Sequence, residues 1–81
     1  MGSRARPVLT AVHLEVLQLM SLGLSNEEIA GRMDCSISTT AARVSRCYDV
    51  LSAVARAHAV GLAMASGLIT GPEPVTVEVQ R

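Results

Sequence analysis

Arg43 and Arg46 stand three residues apart in the run 37–47, which holds no Asp or Glu. On a helix, residues three apart share a side, so this pair sets two guanidinium donor forks on one face with no carboxylate to neutralise them. Ser38, Thr39, Ala42 and Ser45 lie on the outer side of the same run. Other reactive residue types are sparse. Cys35 and Cys47 are too few for a disulfide-stapled scaffold, and with His13 and His58 they match no zinc-ligand spacing. They read as small buried thiols. His13 lies among apolar neighbours and reads as a partly buried surface histidine rather than a catalyst. Neither a Gly-rich phosphate loop, nor paired acids at a cleft, nor a nucleophile with a base in register is visible. The chain is therefore expected not to be an enzyme, and to take no cofactor and no metal.

The chain has 81 residues, 49% of them hydrophobic, and a formal net charge of zero. That size allows one small domain. Seven basic residues, all Arg, balance seven acids. The balance excludes both a broadly basic chain and a highly charged disordered one. It is uneven along the sequence: 37–47 carries Arg43 and Arg46 with no acid, whereas 25–36 holds Glu27, Glu28 and Asp34 against Arg32. Tyr48 is the one aromatic among Phe, Tyr and Trp. The core must therefore come from Leu, Val, Ala, Ile and Met, and at this size a partner subunit is a common source of added stability.

Four helices are expected to position these residues, at about 10–22, 25–33, 36–51 and 55–66. Thr10 caps the first, in which Val12, Val16, Leu19 and Met20 form the inward stripe beside Leu9 and Leu17. Gly23 supplies a left-handed stop. Ser25-Asn26-Glu27-Glu28 is a capping box for the second helix, and both acids favour its N-terminus. Ile29 and Met33 face inward. Ser36 caps the third, whose buried stripe is Ile37, Thr40, Val44, Cys47 and Leu51. A break is expected around 52–55 although no Gly or Pro forces it, and Gly67 ends the fourth helix. Two short capped helices joined by a tight turn make a helix-turn-helix, with small Ala30 allowing a close crossing near Thr40. The apolar stretch 50–69 contains Arg56 and His58, so it is not expected to cross a membrane. Residues 1–8 form a short basic arm. After the Gly71-Pro72-Glu73-Pro74 breaker, residues 75–79 alternate apolar and polar, a strand signature.

At this point the chain resembles the LuxR/GerE-type helix-turn-helix domain. The resemblance rests on Leu9-Thr10, Glu15-Val16-Leu17, the run from Gly23 to Ala30, Met33, Ser36, Thr39, Leu51, Arg56, Ala59-Val60 and Gly67-Leu68-Ile69. It spans 9–69 without a gap; sigma-factor region 4 has a similar helix order. It implies an all-α, four-helix DNA-binding domain of a bacterial transcriptional regulator, here with a short extended C-terminal tail over 70–81. The third helix would lie in the major groove of double-stranded DNA. Ser38 and Thr39 match positions near backbone phosphates, Ala42 and Ser45 match positions at base edges, and Arg43 and Arg46 lie on the same side, in reach of phosphate or guanine. Thr40 stands where the family usually has an apolar residue. Ala41, and often Ser45, stand where it has a basic one. A stand-alone regulator without a receiver or ligand domain is expected, acting in the cytoplasm at the nucleoid.

The family's fourth helix commonly makes the dimer contact. Here Ala57, Gly61 and Ala65 repeat every fourth residue, flanked by Val60 and Met64. This small-residue strip either packs inside the monomer or meets itself in a symmetric homodimer, the reading favoured here. Residues 75–79 either fray or pair with a second chain or a protein partner by strand addition. A second functional class stays open: a protein-interaction module with a decayed DNA face, binding RNA polymerase, a sigma factor or another regulator.

Overall fold

The structure, a computed structural model, describes residues 9–70. Its elements are α1 (Ala11–Ser21), α2 (Asn26–Met33), α3 (Ile37–Leu51) and α4 (Arg56–Ala65), and the described residues contain no strand. The expected basic arm over 1–8 and the alternating run 75–79 lie outside the described residues.

Local chemistry sets the helix ends. At α1, the Thr10 backbone N–H donates to His13 Nδ1 at 3.1 Å, and the Thr10 hydroxyl lies 2.8 Å from the same nitrogen. Gly23, at φ +84°, donates to Met20 O at 2.9 Å and closes the helix C-terminally. Ser25 and Glu28 exchange both bonds of a capping box: Glu28 N–H donates to Ser25 Oγ at 3.1 Å, and Ser25 N–H to Glu28 Oε1 at 2.8 Å. Those bonds hold the Glu28 carboxyl below its ordinary value. Ser36 Oγ caps α3 by accepting from Thr39 N–H at 3.0 Å.

Two turns use the left-handed region without glycine. Asp34 (φ 57°) ends α2 and Ser52 (φ 55°) ends α3. Asp tolerates this region through its short polar side chain. At Ser52 the turn is closed by Ala53 N–H donating to Tyr48 O at 2.9 Å. This turn also divides the apolar stretch 50–69, and no described helix is long and apolar enough to cross a membrane.

The core joins Val16, Leu17 and Met20 of α1, Ile29 of α2, Val44 and Cys47 of α3, Ala59 and Ala63 of α4, and Ile69 after it. Tyr48 packs against this cluster, half-buried. Each fully buried Leu or Ile contributes about 1.5–3 kcal/mol, so Leu17 and Ile29 are the largest single apolar contributors among the fully buried side chains. α1 touches all three other helices, and α3 touches α2 and α4. α2 and α4 are linked by side chains: Arg56 Nη2 donates to Asn26 Oδ1 at 2.6 Å.

Two expected core residues are exposed. Val12 is 36% exposed and Ile37 50%. The buried face of α1 centres on Val16, Leu17 and Met20, which leaves Val12 roughly a quarter-turn off the stripe in the first turn. Ile37 is the first residue of α3, and helical side chains lean toward the N-terminus, so it projects past the end of the α2–α3 contact. Met33 and Leu51 are half-buried at the margin of the core.

Candidate nucleic-acid interface

α3 presents the outer face anticipated for it. Ser38, Ala42, Ser45 and Arg46 are exposed, and Thr39 and Arg43 are half-buried. Ala41 is exposed as well, so where the family resemblance expects a basic side chain this face carries a methyl group. On the opposite side, Val44 and Cys47 reach the core and Thr40 is fully buried. A buried hydroxyl needs a partner, and Thr40 Oγ1 donates to Ser36 O at 3.2 Å. This local bond lets a polar residue occupy the position that the family fills with an apolar one.

The start of α3 is tightly held. Ser36 Oγ accepts from Thr39 N–H and passes its own proton to Thr39 Oγ1 at 3.0 Å. The Thr39 hydroxyl keeps its own proton to donate. Arg43 Nη1 donates to Cys35 Sγ, in the turn before α3, at 3.6 Å. One guanidinium corner is thereby engaged and the remaining donors stay available.

His13, from the first turn of α1, shares this neighbourhood. Its backbone carbonyl accepts from Cys47 Sγ at 3.7 Å. Partial burial, then the charges of Arg46 and Arg43, hold its imidazole below the ordinary 6.5. The ring stays neutral, as its role as acceptor for Thr10 requires. Sequence reasoning missed this function, although Thr10-x-x-His13 has the spacing of a capping box with His in the acidic position. It also missed the Cys35–Arg43 contact, which crosses a turn and has no sequence signature. Burial pushes the Cys47 thiol up to about 11.

A second surface lies on α4. Ala57, Gly61 and Ala65 are exposed, and Met64 is 42% exposed. A methyl group added at Gly61 would meet nothing within 4 Å. Val60 is half-buried and packs against the core. Val54, 87% exposed, and Leu68, 38% exposed, lie just before and just after this helix. Arg56, at the start of α4, buries Nη1 without a hydrogen-bond partner. Among the described residues no cluster of His, Cys, Asp and Glu could hold a metal ion.

Comparison with known proteins fits this geometry. The family described as bacterial regulatory proteins, luxR family (GerE), matches residues 7–63. The crystal structure of the response regulator ChrA, from a heme-sensing two-component system, superposes with a TM-score of 0.77 at 30% identity over 82% of the present chain. The match covers 33% of that protein, so the chain spans about a third of its length. No curated protein matches the chain.

Proposed function

Since the chain belongs to the LuxR family of bacterial regulatory proteins, whose helix-turn-helix domains bind DNA and regulate transcription, we propose that it binds double-stranded DNA sequence-specifically as a homodimer. In this reading α3 enters the major groove and α4 forms the contact between subunits. The supporting observation is the outer face of α3: Arg43 and Arg46 lie on one side with Ser38, Thr39, Ala42 and Ser45, following a hydrogen-bonded cap at Ser36. Thr39 and Ser38 address phosphates. Ala42 and Ser45 sit against base edges, and the two arginines reach phosphate or the guanine edge. The dimer places two such helices on half-sites about one helical turn apart. The protein works in the cytoplasm, at the nucleoid.

DNA binding by the purified protein at two salt concentrations tests this reading. Affinity should fall with salt, and Arg43→Ala and Arg46→Ala should each flatten the log–log slope by about one unit. Binding unchanged by both substitutions would remove α3 from the groove. One observation favours a second reading: exposed Ala41 and Ser45 stand where a basic side chain would be expected on DNA. No binding at low salt to a mixed pool of sequences would favour a protein-interaction module, docking on RNA polymerase, a sigma factor or another regulator.

A further inference from the structure

Cys35 is half-buried in the turn between α2 and α3. Its Sγ lies 3.3 Å from Thr40 Oγ1 and 3.6 Å from Arg43 Nη1. The Thr40 hydroxyl carries one proton and directs it to Ser36 O at 3.2 Å. Either atom of the Cys35–Thr40 contact can donate; with the Thr40 proton on Ser36 O, it is the thiol S–H that donates to Oγ1. The sulfur lone pairs are then left to accept from Arg43. The result is a directed series: Arg43 N–H to Cys35 S–H, on to Thr40 O–H, and finally to the Ser36 carbonyl. Each proton is used once and each bond polarises the next.

We infer that Cys35 is a positioning residue for Arg43, holding one corner of its guanidinium at the α2–α3 turn before DNA arrives. The inference rests on the DNA reading above. A free arginine loses rotamer freedom when it docks, and a side chain already tethered at one corner loses less. Thr40 takes part because its hydroxyl accepts the thiol proton; an apolar residue there would leave S–H without a partner. The polar residue at 40 and the thiol at 35 thus form one unit whose output is the placement of Arg43, five residues before Tyr48 on the same helix. Buried Cys47 has no part in it: its sulfur faces the His13 carbonyl, about two turns beyond Thr40 along the buried face of α3.

A double-mutant cycle on one DNA duplex at fixed low salt tests this, with thermal unfolding of every variant. Cys35→Ala should weaken binding about three- to tenfold when Arg43 is present, and hardly at all in an Arg43→Ala background. Cys35→Ser, which keeps one donor and one acceptor, should retain most of the affinity. Cys35→Val, which fills the site without a hydrogen bond, should behave like Cys35→Ala and serves if the smaller residue does not fold. Equal losses in both backgrounds, tracking the melting temperature, would mean a merely structural thiol and would overturn the inference. So would full affinity of Cys35→Ala while Arg43→Ala binds weakly; the DNA reading would then survive alone. If Arg43→Ala itself leaves binding unchanged, this inference fails; the DNA placement of α3 fails with it only where Arg46→Ala leaves binding unchanged as well. In the unmodified protein, nitrogen relaxation of the guanidinium groups should show Arg43 more ordered than Arg46; equal mobility would also overturn the tether.

Discussion

Two titrating side chains, His13 and Cys47, tie the stability of this fold to pH from opposite ends. His13 Nδ1 accepts the Thr10 N–H bond, so the imidazole works in its neutral form. Its folded value lies below 6.5, from burial first and then from Arg46 and Arg43. On acidification the unfolded chain therefore takes up the proton before the folded one does. The contribution is complete above pH 6.5 and is lost as pH falls through the folded value. Cys47 acts at the other end. Its thiol ionises near 11 when folded, against 9.0 in the open chain, so its contribution is complete below pH 9.0 and is lost as pH rises toward 11. Urea unfolding midpoints across pH should show a plateau between these limits. In His13→Gln the acid limb should flatten while the alkaline limb stays; an unchanged acid limb would remove His13 from the account. None of this was visible at the level of residue type. The sequence shows two cysteines and two histidines matching no ligand pattern; only the three-dimensional neighbours show that His13 accepts a backbone N–H from Thr10 and His58 one from Val54, each at a helix start, and separate the thiol at Arg43 from the one in the core.

The helices differ in how firmly their ends are defined. α2 and α3 begin with Ser caps whose hydroxyls accept backbone N–H bonds, and these starts are legible because cap chemistry lies within three residues of sequence. α4 begins at Ala55, extended at φ −156° and ψ 162°, with no side-chain cap. The backbone there already has N-cap geometry and lacks only an acceptor. Ala55→Asp should therefore stabilise the domain by about 1 kcal/mol, read as a raised urea midpoint at unchanged m-value. A lowered midpoint would show that α4 does not start at this residue. The α3–α4 boundary was the hardest to read. Ser52 adopts the left-handed conformation that a glycine would have announced, and local preference alone would allow one continuous helix through it. The outer face of α3 was legible through its three- and four-residue spacing. The exposure of Ile37 was not, because spacing says nothing about where a packed neighbour ends. The groove-facing roles on α3 came from resemblance, since a helix with two arginines is otherwise only a solvated face.

At the scale of the whole molecule, a neutral chain binds a polyanion weakly unless two copies act together. The chain brings few arginines to the outer face of α3, so the proposed pairing would turn the second docking into an intramolecular event. The monomer leaves Ala57, Gly61 and Ala65 of α4 uncovered, with open space beside Gly61. Two outcomes of opposite sign follow for Gly61→Leu. The monomer should gain up to about 1 kcal/mol, because glycine is a poor helix former and a Cβ added at this position meets nothing within 4 Å. The proposed homodimer should weaken, because in it the same side chain would separate the two α4 helices. Thermal unfolding in the dilute monomer and sedimentation equilibrium at high concentration measure the two effects. An unchanged dimer mass would move the subunit contact away from this strip.

The lack of Phe and Trp also has an optical consequence. Tyr48 is the one residue of the Phe, Tyr and Trp set, and it packs half-buried against the core from α3, just beyond Arg43 and Arg46. Ultraviolet emission from this protein is therefore the emission of a single ring on the proposed recognition helix. Loss of the core changes the surroundings of this one native fluorophore, so unfolding is followed by its emission without a dye or an engineered tryptophan.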